Sequence, residues 1–319
     1  MKILKVFSII ALMAIIVSCS DNSTNPVDPG TKSLGNYPQL EALYDKDPDP
    51  AQCYEGVLKN SEKQKVLNRV NYFRRMHGLS DVSYNSSADI YVQKASLLSY
   101  ANKTLNHYPT PAAKCYSVEA DSACGSSNLH LGYSTAVSNW KSEDAVDGWL
   151  NEKNSIGGAI GHRRWLLNPL LKTVSFGRVD AVETNNYHYT ASTLHIFDFG
   201  PQPASKVEYV AFPYGNYPNS AFEPASCYLS FSVFADKTTI WGLNSKVDFK
   251  NVTIQVKDPS GSNVAVTDIT YDNQGAGLTN NLEWKASTMI TNVKYTVSIS
   301  NVSVNGTAKN YSYDFTVVQ

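Results

Sequence analysis

From residue 61 the apolar positions fall at helical spacing. Leu67, Val70, Phe73 and, less cleanly, Met76 form one stripe. The stretch "SEKQ" offers a capping box, with Ser61 capping and Gln64 reaching back, and Gly78 ends the helix. "NSSADIYVQKASLLSYA" predicts a second helix with Ala88, Val92, Ala95 and Leu98 on one side. "KSEDAVDGWLNE" predicts a third: Ser142 caps it, Glu143 and Asp144 suit its N-terminal dipole, and Val146, Trp149 and Leu150 face inward. The period then changes. "TVSFGRVDAVE" and "YHYTASTLHIFDFG" read as strands joined at "TNN". Helices followed by a hairpin predict an α+β domain.

Beyond about residue 205 no helical period survives. "KVEYVAF", "CYLSFSVF", "VDFKNVTIQVKD", "NVAVTDITYD", "NLEWKAS", "KYTVSISNVSV" and "YSYDFTVV" are short alternating runs, separated by turn material such as "DPSGSN". Seven such runs predict an all-β sandwich of immunoglobulin or fibronectin kind, although no Cys…Trp…Cys spacing supports an antibody-type domain. The chain of 319 residues is long enough for two domains. Their expected bounds are 46–204 for the α+β domain and 205–319 for the sandwich.

The N-terminus changes the picture. "MKILK" is basic, and the apolar run that follows is too short to span a bilayer comfortably. It ends in "IVSCS", which resembles a bacterial lipobox, so residues 1–18 are expected to be a lipoprotein signal peptide and Cys19 the lipid-bearing N-terminus. Residues 19–45 are rich in Ser, Asn, Pro, Gly and Asp and read as a flexible tether. Four cysteines remain outside the cytoplasm, where an even number favours disulfides. The short loop between Cys115 and Cys124 favours the pairs Cys115–Cys124 and Cys53–Cys227; four buried thiols are the alternative.

Net charge is −1 and only 17% of residues are charged, so nothing argues for nucleic acid. The 20 tyrosines suit a polar, aromatic-lined surface, and equally strands. HExxH, GxSxG, a P-loop and a dinucleotide fingerprint are all missing from the sequence.

The residues with chemical potential lie between His107 and Gly177. "VLNRVNYFRRMHGL", "AVDGWLNE" and "GHRRWLLNP…FG" together resemble, in order, the motifs of the CAP superfamily: cysteine-rich secretory proteins, antigen 5 and pathogenesis-related 1 proteins, or SCP-like extracellular proteins. The likeness covers about residues 60–200. It implies an α-β-α sandwich with a cleft holding two histidines and two acidic residues, able to take a divalent metal. His107 and His162 match the histidines and Glu152 one acid. The other acid falls in "SSNL", where Ser127 replaces glutamate. The expected cleft is therefore His107, Ser127, Asn128, Glu152, His162 and Arg163. Zinc or another divalent cation on His107, Glu152 and His162 is a weaker expectation, because a hydroxyl supplies no charge for a cation. Glu119 or Asp121 is a candidate replacement. The histidines read equally as hydrogen-bonded supports for the loops, and Glu152 as a helix-end partner of Arg163 or Arg164.

Three functions follow. The leading one is a lipid-anchored CAP protein that joins the bacterial membrane through Cys19 and binds peptide, lipid or glycan in an extracytoplasmic cleft, without being a classical enzyme. The second is a metal-dependent hydrolase or peptidase using His107, Glu152 and His162. The third is an adhesin or structural lipoprotein acting through the sandwich.

Overall fold

The computed structural model describes residues 31–153, 160–200, 207–235, 246–273 and 276–319. The signal peptide and Cys19 lie outside the described residues, as does the junction at 204–205.

The first part of the chain runs β1 (Thr31–Lys32), α1 (Pro38–Glu41), β2 (Tyr44–Lys46), β3 (Val57–Leu58), α2 (Asn60–Met76), β4 (Ser83–Tyr84), α3 (Asp89–Asn102), α4 (Val118–Gly125), β5 (Ser127–Ser134), α5 (Asp144–Asn151), α6 (Gly161–Leu166), β6 (Thr173–Glu183) and β7 (His188–His195). The hairpin β6–β7 forms the middle of a sheet ordered β1-β6-β7-β5, with β4 also on β6. Strand alternation gives this sheet two faces. Phe176, Val182 and Leu194 join Val66, Val70 and Phe73 of α2 and Val146, Trp149 and Leu150 of α5 in one core. Val179, Ala181 and Ala191 point the other way, onto Leu97 and Tyr100 of α3. The result is helices on both faces of an antiparallel sheet. Gly177 permits the close approach of α3: a Cβ there would stand 2.5 Å from the backbone of Val92 and Gln93.

Local signals at the helix starts differ from expectation. α2 begins one residue before Ser61, its N-cap is Lys59 without a side-chain hydrogen bond, and Gln64 donates to Asn68 instead. Ser142 does not cap α5; its hydroxyl donates to Glu62 Oε2 and accepts from Arg178. A buried charged network outcompetes the cap. The segment read as a tether is ordered from Thr31 onward, where Leu34, Leu40 and Tyr44 enter the core. Their wide spacing hides three anchors among turn residues.

The second part comprises β8 (Tyr209–Phe212), β9 (Gly215–Pro218), β10 (Leu229–Val233), β11 (Val247–Asp248), β12 (Thr253–Lys257), β13 (Asn263–Val264), β14 (Val266–Asp272), β15 (Asn281–Ala286), β16 (Lys294–Val304) and β17 (Thr307–Val318). They form sheets ordered β14-β15-β10-β8 and β13-β12-β16-β17-β9, with β11 on β16. Tyr209 and Phe231 of one sheet pack on Tyr311 of the other. The pairing is antiparallel except for β9 with β17, which is parallel.

The two parts share a single apolar core. His77 at the end of α2 stacks on Phe212 and meets Tyr217 Oη at 3.3 Å. Burial pushes its pKa down to about 3, so it is neutral. Arg164 makes a bidentate pair with Asp272 and donates to Leu278 O, while Asn168 donates to Gly277 O. Gly277 has φ +81°, and a Cβ on it would strike Arg164 at 2.6 Å.

The cysteine assignment needs correction. Cys53 bonds to Cys115, while Cys124 and Cys227 are free and buried. Cys124 of α4 packs with Ala120 against Ala95 and Leu98 of α3, and Cys227 Sγ faces Asn151 Oδ1 at 3.0 Å, so neither reaches another sulfur. The bond closes a 62-residue separation. Replacing both Cys53 and Cys115 by serine is expected to lower unfolding stability by about 2–4 kcal/mol, read from the urea midpoint.

Candidate functional site

The corner between α5 and α6 is organised by Glu152. It ends α5 with φ +45°, and its side chain, 3% exposed, reaches the start of α6. Oε1 accepts from the His162 N–H at 3.1 Å and Oε2 from the Arg163 N–H at 3.2 Å. Those donors belong to the first turn of a helix, where no carbonyl of the helix can pair them. The carboxylate thus acts as a cap supplied from another helix, and it suits the positive end of the dipole.

The same Oε1 lies 3.1 Å from His162 Nδ1. That contact orients the ring, whose side chain is 35% exposed. His107, after α3, donates from Nδ1 to Cys124 O at 2.7 Å, so its Nε2 is an acceptor. Burial, followed by the nearby His162, lowers the His107 pKa. Asn128 joins the pieces: its amide donates to His162 O at 3.1 Å and ties β5 to α6.

His130 completes the group. Burial pushes its pKa down to about 4, with His162 and Arg178 adding to the effect, and it is half-buried without a hydrogen-bonding partner among the described residues. It sits two residues from both Asn128 and Gly132, on one face of β5. A Cβ on Gly132 would stand 3.3 Å from His130 Nε2 and 3.6 Å from Trp140. The period-two pattern of "NLHLG" carries the signal that Asn128 and His130 share a face. The motifs alone give His130 no role.

Ser127 is buried at the start of β5, and its hydroxyl has no partner among the described residues. Its cross-strand neighbour His195 has an unpartnered Nδ1. Glu119 pairs with Lys94 and Asp121 accepts from Tyr116, so neither replaces the missing carboxylate. Among the described residues no three His, Cys, Asp or Glu side chains form a group that could hold a metal ion. Both oxygens of Glu152 are committed to α6. The residues present therefore do not fit the divalent-metal expectation, and no chemistry is derived through a metal.

Arg163, expected in the cleft, points away from it. Its guanidinium lies 3.7 Å over the Phe212 ring and donates to Leu150 O, Asn151 O, Tyr228 O and Ser230 Oγ. It joins the two parts of the molecule. His188, unassigned in the sequence, is buried: Nδ1 accepts from the Ser138 N–H and Nε2 donates to Asp180. A separate groove of about 340 Å³ between the parts is lined by Asn151, Lys153, Ser220 and Glu223, and does not reach the histidines.

Comparison with known proteins bears on residues 67–192, which match the profile of the CAP family, described as the cysteine-rich secretory protein family. Among solved structures, an outer surface protein from Borrelia burgdorferi is similar at 14% identity, over 43% of this chain and 92% of that one, with a TM-score of 0.26. An extracellular protein containing a SCP domain, from Bacillus anthracis str. Ames, is similar at 15% identity, over 42% of this chain and 40% of that one, with a TM-score of 0.27. No curated protein matches the chain.

Proposed function

We propose, from the premise that residues 67–192 form a CAP domain, that this protein is a lipid-anchored binding protein of the cell envelope whose histidine cleft takes an extracytoplasmic ligand. One observation carries the binding reading. His107 is fixed through Nδ1 by a carbonyl, which leaves its Nε2 an acceptor, and it stands with the partly exposed His162 ring, held beside Glu152, and the unpartnered His130. Such a site receives N–H or O–H donors, which peptides and glycans supply in rows and lipid headgroups supply singly. The Cys53–Cys115 disulfide supports an oxidising compartment, and the "IVSCS" stretch supports attachment at Cys19.

The test is retention of the protein on immobilised peptidoglycan, phosphatidylglycerol vesicles and a mixed synthetic peptide library, beside a His107→Ala/His162→Ala variant. Retention by one class, reduced at least tenfold in a variant with unchanged melting temperature, is the expected result. Retention unaffected by the two substitutions, or none in any class, overturns the reading.

A further inference from the structure

We propose that the tyrosine surface formed by Tyr133, Tyr187 and Tyr189 rests on the lipid bilayer to which the N-terminus is tethered. The proposal builds on lipid attachment at Cys19. Tyr133 and Tyr189 are cross-strand partners on β5 and β7, and Tyr187 lies two residues before Tyr189. Ring centroids are 5.8, 6.2 and 6.4 Å apart with interplanar angles of 31°, 28° and 27°, so the rings tile one surface in similar orientations. Tyr133 is 65% exposed. The surface is stiffened from beneath: Tyr189 packs edge-on against Tyr100, and Lys103 Nζ lies 3.9 Å from its ring. Tyrosine combines an apolar ring with a polar tip, the combination suited to the headgroup level of a bilayer.

The position of the chain selects lipid as the occupant. β1 runs antiparallel to β6, with Thr31 opposite Glu183 and Lys32 opposite Val182. The chain before Thr31 therefore meets the sheet at the β6–β7 turn, the end that carries the tyrosines. Eleven residues lie between Cys19 and Thr31, a reach of at most about 40 Å over the twelve steps. A lipid at Cys19 makes contact with the bilayer intramolecular, so a weak aromatic contact suffices. Lys32, whose ammonium donates to the neutral Asn186 amide at 2.6 Å, adds positive charge at the same end, which complements anionic headgroups. Asn128 stands five residues before Tyr133 on β5, so this docking holds the cleft end of the strand about 17 Å farther from the bilayer than the tyrosines.

The experiment uses the full chain, confirmed by mass spectrometry to carry lipid on Cys19, in 4:1 phosphatidylcholine–phosphatidylglycerol vesicles containing a headgroup nitroxide. An environment-sensitive fluorophore is placed at Asn185→Cys in the turn, or at Ser260→Cys in the second part as a control. Quenching at least threefold stronger at 185 than at 260, abolished by Tyr133→Ser/Tyr187→Ser/Tyr189→Ser and at least halved by the single Tyr133→Asp, is expected. The single variant alters an exposed ring and guards against misfolding of the triple. Equal quenching at both positions in acylated protein, or quenching indifferent to the tyrosines, overturns the docking while leaving the anchor intact. Absence of lipid on Cys19 overturns both. Saturable binding of chitohexaose to the tyrosines, without the quenching difference, overturns lipid in favour of glycan.

Discussion

Arg163→Ala is expected to lower unfolding stability by about 3–5 kcal/mol, because it strands several buried acceptors at about 1–3 kcal/mol each. The side chain satisfies Leu150 O and Asn151 O on one part of the molecule and Tyr228 O and Ser230 Oγ on the other. Alanine abandons these acceptors and leaves a void against Phe212. Because the lost contacts cross the junction, the single unfolding transition is expected to broaden or split in calorimetry. Arg163→Lys is expected to recover only part of the loss, since one ammonium cannot serve acceptors on opposite sides. A sharp transition with an unchanged midpoint for Arg163→Ala would show that the junction is held by apolar packing alone.

The second large effect lies at Asp180. Its carboxylate is fully buried and accepts from Arg178 Nε at 2.7 Å and Nη2 at 2.9 Å, from Tyr44 Oη at 2.6 Å and from His188 Nε2 at 3.0 Å. Burial opposes its ionisation, but Arg178 and the other donors outweigh burial and hold it well below the usual carboxylate range. A carboxyl depressed by folding stabilises the native state above its unfolded pKa of about 3.9, and that contribution is lost as pH falls towards the folded value. Wild-type stability from this group is therefore flat from neutrality to about pH 5 and falls progressively below it. Asp180→Asn turns an amide N–H₂ towards donors and is expected to cost about 3–5 kcal/mol at pH 7. The cost is expected to shrink progressively below about pH 5, as the unfolded wild-type chain takes up the proton that the folded carboxylate resists. Urea midpoints measured across the acid and neutral range test both; a cost independent of pH would mean that shape, not charge, is what Asp180 supplies.

Periodic features are legible in the sequence. The α2 stripe, the β6–β7 hairpin and seven of the later strand runs follow from the period of apolar residues, because each is fixed by its own neighbours in sequence. β9, only four residues long, leaves no such trace, and its pairing with β17 joins distant segments. The disulfide escapes the sequence for the same reason. A short loop makes Cys115–Cys124 attractive in sequence, but α4 buries Cys124 against α3, while the turn before β3 carries Cys53 to Cys115. At the site, ordered motifs locate His107, Glu152 and His162, but not what each does. Glu152 faces the backbone of α6 rather than a metal, and Arg163 turns towards a domain whose position no local pattern reveals.

The disulfide has a mechanical consequence. A pull on the N-terminus loads β1, which holds β6 through two residues arranged to open one after the other, like a zipper. Residues 31–52 can then peel from the sheet, drawing Tyr44 from Asp180, until tension reaches Cys53. There the covalent link to Cys115 diverts the force into the loop ahead of α4. The released segment adds at most about 75 Å of slack. A molecule pulled from that end absorbs a tug as extra leash.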